Sequence, residues 1–395
     1  MSDKKGVRAM AETLKDKACI VGIGETEYSK NSGRSEMRLA LEAISSACED
    51  AGISPKEIDG IVRFSVDSNQ VDEMARNFGI ENLRFFPEVF FGGGAGCGIV
   101  QMAAMAVALG KANYVACFRA LNERSGFRYG QMGAVMPMAG HFQYSIPFGL
   151  MAPGSMVAVM AQRHIHNYGT KTTDLGEVAV AFRKHANMNP KAMMHGRPLT
   201  LEDHANARMI AYPLRLFDYC QETDGAAALI VTSPERAKDL KQKPAYIMAA
   251  EQGTGSWMEM MTSYQRQNIA DLEEYTRLAP YLWKEAGIGP EDIDCVQFYD
   301  AFTPLVLMQL ESFGFCELGE GGPFVRDGAL QIGGRLPTNT SGGCLSEAYI
   351  HGLNQVVEAV RQIRGTSLVQ VPDCKNVLAT AGSGIPTGAL VLHSL

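Results

Sequence analysis

The sequence predicts an α/β protein built from two related halves, each a sheet packed with helices, and three observations predict it. The passage Ala51-Gly52-Ile53-Ser54-Pro55-Lys56-Glu57-Ile58-Asp59 returns as Ala286-Gly287-Ile288-Gly289-Pro290-Glu291-Asp292-Ile293-Asp294, six of nine positions being identical at an offset of 235 residues (286 minus 51). Each copy follows a helix-patterned stretch and runs into an apolar strand, Ile61-Val62-Arg63-Phe64 or Val296-Gln297-Phe298-Tyr299. A second echo pairs Gly225-Ala226-Ala227-Ala228-Leu229-Ile230-Val231 with Gly388-Ala389-Leu390-Val391-Leu392 at an offset of 163 (388 minus 225). So long a period marks a duplicated domain, not a solenoid unit of about 20–50 residues. The difference of 72 residues (235 minus 163) places extra chain inside the first half, enough for a loop subdomain over a site. The halves are expected at 18–243 and 244–395, with the subdomain at about 121–201.

In chain order, Ala18-Cys19-Ile20-Val21-Gly22-Ile23 reads as a buried strand closed by Gly22 and Gly24. Gly-x-Gly after a strand hints at dinucleotide binding, but the third Gly of that fingerprint is absent, so a tight turn is expected instead. Leu41, Ile44, Ala47, Cys48 and Ala51 fall at helical spacing. Residues 97–109 are apolar on nearly every face, which requires a helix buried on all sides. It enters from Gly92-Gly93-Gly94, where small residues let a ligand approach a positive helix end. Tyr114-Val115-Ala116-Cys117-Phe118 is the next strand. From Leu121 to Leu201 the pattern loosens and Met, Gly, Pro and His accumulate. Alternating strands and helices imply predominantly parallel sheets.

With 395 residues, 46% hydrophobic and 20% charged, the chain can bury two cores. A net charge of −7 without a Lys/Arg block argues against a nucleic-acid partner. The first 17 residues lack the apolar run of a signal peptide, and no apolar stretch reaches membrane-spanning length. Nine scattered Cys with no C-x-x-C pair point to neither zinc nor a disulfide framework. The expectation is a reduced, cytoplasmic protein, and His393-Ser394-Leu395 is not the S-K-L peroxisomal signal.

Asp224-Gly225-Ala226-Ala227-Ala228, Phe298-Tyr299-Asp300-Ala301-Phe302, Asn339-Thr340-Ser341-Gly342-Gly343 and Ala381-Gly382-Ser383-Gly384 follow one another in an order that resembles the thiolase superfamily. Leu310-Glu311, Gly314-Phe315-Cys316 and Gln362-Ile363-Arg364-Gly365 bring the resemblance closest to its sterol-carrier branch. It covers essentially the whole chain and implies a five-layer αβαβα sandwich, a homodimer and an acyl-CoA ligand. The thiolase catalytic set is nevertheless absent. Its nucleophilic Cys falls within Gly93 to Ala95, its activating His on Tyr349, the opening residue of its N-E-A-F or H-D-C-F motif on Tyr299, and its last Cys on Thr380. Two tyrosines in two such slots, with Asn122-Glu123-Arg124-Ser125-Gly126-Phe127-Arg128, resemble the bacterial steroid side-chain-cleaving aldolases, in which the matching tyrosines are catalytic.

That resemblance implies retro-aldol cleavage of a β-hydroxy steroid or bile-acid acyl-CoA to a ring ketone and a short acyl-CoA such as propionyl-CoA. The reaction needs a base at the alcohol, an acid at Cα and donors for the enolate oxygen, but no covalent intermediate. Tyr349 is expected at the hydroxyl and Tyr299 at Cα. Phenol ionises near pH 10 and burial raises that further, so donors or a helix end around Gly342 or Gly382 must support a phenolate. Asp300, Asn339, Ser341, Cys344, His351 and Cys97 are expected around the pair or lining its pocket, and Arg124, Arg128 and Lys184 at CoA phosphates. The resemblance also implies no metal or redox cofactor on this chain, the CoA thioester being substrate, and a small OB-fold zinc-ribbon partner, or a hydratase bearing that domain, which holds the zinc.

Plainer readings stand beside these. Tyr299 is also a strand-end aromatic; Cys97, Cys344 and Cys316 are small buried hydrophobes; and the three cations are ordinary surface charge. His164 and His166, two apart on a helix, face different sides and suit core or surface better than metal. The Met clusters (Met132, Met136, Met138, Met151, Met156; Met258, Met260, Met261) fit either a broad apolar substrate or flexible packing. Two rival functions remain: a thiolase or acyltransferase using Cys97, and a non-catalytic lipid or acyl-CoA scaffold.

Overall fold

The computed structural model describes residues 13–128, 130, 131, 140, 142–259, 261–384 and 386–395. Its strands are β1 (Cys19–Glu25), β2 (Gly60–Phe64), β3 (Glu88–Val89), β4 (Val115–Asn122), the hairpin β5 (Met209–Ala211) and β6 (Leu214–Arg215), β7 (Asp224–Thr232), β8 (Ala245–Gly253), β9 (Cys295–Gln297), β10 (Asn376–Ala381) and β11 (Thr387–His393). The described helices of eight residues or more are α1 (Glu36–Ala51), α2 (Val71–Phe78), α3 (Ala95–Ala108), α4 (Pro153–Tyr168), α5 (Thr172–Met188), α6 (Glu273–Ala286), α7 (Thr303–Ser312) and α8 (Leu353–Arg364).

Nine strands hydrogen-bond in the order β3-β2-β4-β7-β1-β8-β11-β10-β9. The duplication is visible in this order. The units β1-α1-β2-α3-β4-β7 and β8-α6-β9-α8-β10-β11 occupy equivalent places, and their first strands meet edge to edge at Cys19–Tyr246 and Ile20–Ala245. Alternating side chains sort into layers. Cys19, Val21, Ala226, Ala228 and Ile230 face α1 and α2. Ile20, Ala227, Leu229, Val231, Val377, Ala379, Leu390 and Leu392 close on α3 and α8 between the halves. Leu378, Ala389 and Val391 face α4 to α7. The result is helix, sheet, helix, sheet, helix, and it explains why α3 is apolar all round.

The repeated passage performs the same task twice. Gly52 (φ 81°) and Gly287 (φ 71°) end α1 and α6 in the left-handed conformation that a Cβ disfavours. A single 3₁₀ turn follows each. Asp59 Oδ1 then accepts from the Asn113 and Tyr114 amides (2.7 and 2.9 Å), while Asp294 Oδ2 accepts from those of Lys375 and Asn376 (2.8 and 2.9 Å). Each aspartate thereby ties the turn to the loop entering β4 or β10.

Two expectations are corrected, and a third stretch gains detail. The sheet is not predominantly parallel: β2–β3, β2–β4 and β9–β10 are, but β4–β7, β1–β7, β1–β8, β8–β11 and β10–β11 are antiparallel. Residue alternation does not show that β11 returns directly from β10 through a short connection. Gly22 and Gly24 make no turn but lie inside β1, where a Cβ would stand 2.1 Å from the carbonyl oxygens of Ala47 and Ala43. Their role is close approach of α1. The loosely patterned stretch 121–201 holds two long helices, α4 and α5, whose apolar faces join the core of the second half. Among the described residues no single helix is long and apolar enough to cross a membrane.

Candidate active site

The first turns of α3 and α8 open toward one cavity of about 910 Å³. Gly92–Gly94 lead into α3, Tyr349 and His351 precede α8, and Tyr299 follows β9; all line the cavity. The hydroxyls of Tyr299 and Tyr349, fifty positions apart in the chain, stand 2.8 Å from each other in hydrogen-bond contact. Both side chains are nearly buried, and their rings are 6.3 Å apart at 53°.

Several side chains hold the two tyrosines in place. Thr380, in the slot of the last thiolase Cys, accepts the Tyr299 amide (2.8 Å), and Gln309 Nε2 donates to the Tyr299 carbonyl (2.8 Å). Asn339 bridges the preceding peptide, accepting from Phe298 N (2.7 Å) and donating to Phe298 O (2.9 Å). Asp300 accepts from the Cys344 and Leu345 amides (2.8 and 3.1 Å) and from Gln355 Nε2 (2.6 Å), which couples the Tyr299 segment to the turn leading to Tyr349. Ser341 Oγ donates to the buried Glu347 (2.7 Å), also in that turn. Asp300, Asn339 and Ser341 support the tyrosines from behind and do not line the cavity. Gly343 cannot carry a side chain here: φ is 60° and a Cβ would meet Asp300 Oδ2 at 2.3 Å.

The other expectations meet different outcomes. Cys97 is buried on α3 with its thiol on the Ala379 carbonyl (3.6 Å), outside the cavity lining, and burial pushes it far above an ordinary thiol, which disfavours the thiolate a nucleophile needs. Cys344 does not line the cavity either, and burial, then Asp300, raises its thiol. Lys184 is exposed on α5, donates to Gln331 (3.1 Å) and does not line the cavity; its neighbour Arg183 does. One residue of helix is 100° of rotation, and burial brings Arg183 down to about 10. Arg124 and Arg128 line the cavity, but both lean on Glu222 (4.0 and 2.5 Å). Gly382 lines it, whereas Gly342 does not. His164 is a core residue between Thr170 (2.7 Å) and Glu311 (3.1 Å), and His166 is exposed. Met151 and Met261 line the cavity; Met132, Met136, Met138 and Met260 lie outside the described residues. Glu123, Tyr219 and Cys220 were not singled out from sequence, though Glu123 sits inside the Asn122–Arg128 motif. Among the described residues no cluster of three or more His, Cys, Asp or Glu side chains is arranged to hold a metal.

Burial pushes both phenols well above the ordinary tyrosine value. For Tyr299 the hydrogen bond with Tyr349 works in the opposite direction; the Tyr299 oxygen raises Tyr349 further, and Glu123 raises both. A Cβ placed on Gly93 would lie 2.1 Å from the Tyr299 hydroxyl oxygen. The phenol therefore fills the space that a side chain at Gly93 would need, at the positive end of α3. The pair can accept a proton at one oxygen and deliver one from the other without ionising.

A family model described as "Thiolase C-terminal domain-like" matches residues 253–392. The chain is 53% identical over 380 residues to the "Steroid side-chain-cleaving aldolase" of Thermomonospora curvata, covering 95% of this chain and 97% of that protein. It is 50% identical over 384 residues to the "17-hydroxy-3-oxo-4-pregnene-20-carboxyl-CoA lyase" of Mycobacterium tuberculosis, covering 96% and 100%. The solved "Ltp2-ChsH2(DUF35) aldolase" superposes with a TM-score of 0.92 at 52% identity, covering 97% of this chain and 99% of that one. With a fold of five layers, a vacated thiol slot and a paired-phenol centre, the chain belongs to the thiolase-fold family of steroid side-chain-cleaving aldolases.

Proposed function

We propose that this protein is a carbon–carbon lyase that cleaves a β-hydroxy steroid or bile-acid acyl-CoA into a ring ketone and a short acyl-CoA such as propionyl-CoA. The 2.8 Å contact between the two phenols inside a roomy, mostly apolar-walled cavity carries this reading. Retro-aldol cleavage moves one proton from the alcohol to Cα, so it has no net proton demand. The alcohol proton passes to Tyr299, the Tyr299 proton to Tyr349, and the Tyr349 proton to Cα. The electrons of the breaking Cα–Cβ bond pass through the thioester enolate to that new C–H bond. This order reverses the one expected from sequence. Tyr299 lies at the positive end of α3, so the negative charge that develops as it hands its proton to Tyr349 is better tolerated there. A shared relay also removes the need for a preformed phenolate, which burial opposes.

By analogy with the named relatives, the substrate is a 17-hydroxy steroid bearing a CoA thioester on its side chain, and the partner carries a DUF35 domain. We place a homodimer at the centre of that assembly, expect the partner to be the OB-fold zinc-ribbon protein, and place the reaction in the cytoplasm with no cofactor on this chain. Arg124 and Arg128, at the cavity rim with Glu222, are the cations we assign to CoA. The test is ketone release by the reconstituted complex carrying Tyr299→Phe or Tyr349→Phe. Each variant should fold, bind the CoA product and lose about 10²–10⁴ in kcat. Cleavage near the wild-type rate by either would remove that tyrosine from the mechanism.

A further inference from the structure

We propose that His351 is a catalytic residue of this lyase, its Nε2–H donating a hydrogen bond to the thioester oxygen as that oxygen becomes an enolate. The inference rests on the retro-aldol reading and supplies the donor that reading leaves unassigned. Its basis is a buried chain behind the cavity wall. Asp67 Oδ2 accepts from Arg119 Nη1 (2.8 Å) and from the Ala120 amide (3.2 Å), and Arg119 Nε donates to His351 Nδ1 (3.1 Å). All three side chains are nearly inaccessible.

A guanidinium can only donate, so the ring nitrogen it faces must be an acceptor. A neutral imidazole with an accepting Nδ1 carries its proton on Nε2. Arg119 thus fixes the tautomer from behind, and Asp67 fixes Arg119. Burial, with the Arg119 charge, holds the imidazole well below its ordinary value, so the ring stays neutral at physiological pH. A neutral N–H is suited to stabilising an enolate oxygen because it can donate strongly without becoming the proton that the carbon must receive.

The position agrees. His351 lines the cavity, and its ring meets that of Tyr349 edge-on at 5.2 Å and 85°. If Tyr349 addresses Cα, the thioester oxygen, two bonds from Cα, falls on the His351 side. The Cε1 corner lies 3.9 Å from where a Gly92 Cβ would be, so the ring sits beside the same glycines that flank the phenols. His351 also holds φ at 50°, a left-handed backbone that fixes the direction in which its ring leaves the chain. His351 takes no proton in the cycle; it donates a hydrogen bond that strengthens as charge develops.

The test uses the holo complex with ¹⁵N-labelled histidine. The His351 signals should report a neutral ring protonated on Nε2 throughout the working pH range; a proton on Nδ1, or an imidazolium near neutrality, overturns the proposal. His351→Asn, which tolerates the left-handed backbone, should lower kcat by about 10²-fold while leaving propionyl-CoA affinity within threefold. His351→Gln, which keeps an N–H at similar reach, should recover most of that loss. Arg119→Gln, farther from substrate, should mix the two tautomers and lower kcat even if His351→Asn folds poorly. Wild-type turnover by His351→Asn overturns the proposal and leaves the phenol relay standing. Failure of the wild-type complex to cleave a β-hydroxy thioester would instead remove the retro-aldol reading itself.

Discussion

Gly93→Ala adds one methyl group where the phenol needs the space. An alanine Cβ at this position would lie 2.1 Å from the Tyr299 hydroxyl oxygen, 2.6 Å from Cζ and 3.1 Å from Cε2. Ordinary contact begins near 3.5 Å, so the hydroxyl has to retreat by roughly 1 Å or more. Retreat is opposed on every side, because the Tyr299 backbone is held at both its amide and its carbonyl (2.8 Å each). A displacement of that size stretches the 2.8 Å contact with Tyr349 beyond hydrogen-bond range. Misplacing a reacting group by about 1 Å costs on the order of 10²-fold in rate, equivalent to about 2.7 kcal/mol of barrier. Overpacking in a rigid wall costs about 1–3 kcal/mol of stability besides. The assay is kcat of ketone release beside a denaturant midpoint. Gly92→Ala is the control, since its Cβ would meet nothing nearer than His351 Cε1 at 3.9 Å. The expected pattern is a drop of about 100-fold for Gly93→Ala and less than tenfold for Gly92→Ala, both variants folded. A folded Gly93→Ala within threefold of wild type would show that the phenol position does not set the rate.

The remaining predictions concern titration and sulfur. With both phenols held above their ordinary value, log(kcat/KM) should lack the rise of one per pH unit between about pH 6 and 9 that a required phenolate would impose; such a rise would sink the neutral relay. Burial raises Asp300 to about 6 and Glu274 to about 7. Folded values above unfolded ones mean that this stability is complete below about pH 4 and is lost as pH climbs through 6 to 7, at up to about 1.4 kcal/mol per pH unit for each group. Urea midpoints should therefore fall over that window, and less steeply in Glu274→Gln; equal slopes would refute the assignment. Cys97→Ala should keep kcat within twofold and lose about 1 kcal/mol of stability, whereas a covalently acylated Cys97 recovered after mixing with substrate would reinstate a thiolase-type step.

What could be read in advance, and what could not, follows from how far apart in the chain the cause of each feature lies. The duplicated halves were legible because Asp59 and Asp294 each serve their own turn, so local constraint repeats locally. The tyrosine pair was legible because both residues sit in motifs whose spacing survives. Gly22 and Gly24 misled because strand glycine and turn glycine look alike until the helix opposite is known. Helices α4 and α5 were hidden because their apolar faces carry Gly, Met and His as well as aliphatic residues. The chain of Asp67, Arg119 and His351 spans nearly three hundred positions, and nothing at any one of them announces the other two. Arg183 and Lys184 differ by one helical step, which composition cannot resolve and a surface can.

If the thiol slot, placed within Gly93 to Ala95, is Gly93 itself, the close contact there ties loss of the thiol to gain of the phenol. A cysteine at this position would set its Cβ against the Tyr299 oxygen, so one cavity cannot hold both side chains in working geometry. Thiolysis and retro-aldol cleavage therefore compete for one volume at the end of α3, and no single substitution should convert one activity into the other. Gly93→Cys would displace the relay and still lack a base, because the slot of the activating histidine holds Tyr349. Tyr299→Asn in addition would empty the volume, yet the thiol would face a neutral phenol instead of an imidazole and stay protonated. On the proposed relay, the chemistry of this cavity turns on whether a thiol or the Tyr299 phenol occupies the helix end, and on the group that meets it at position 349.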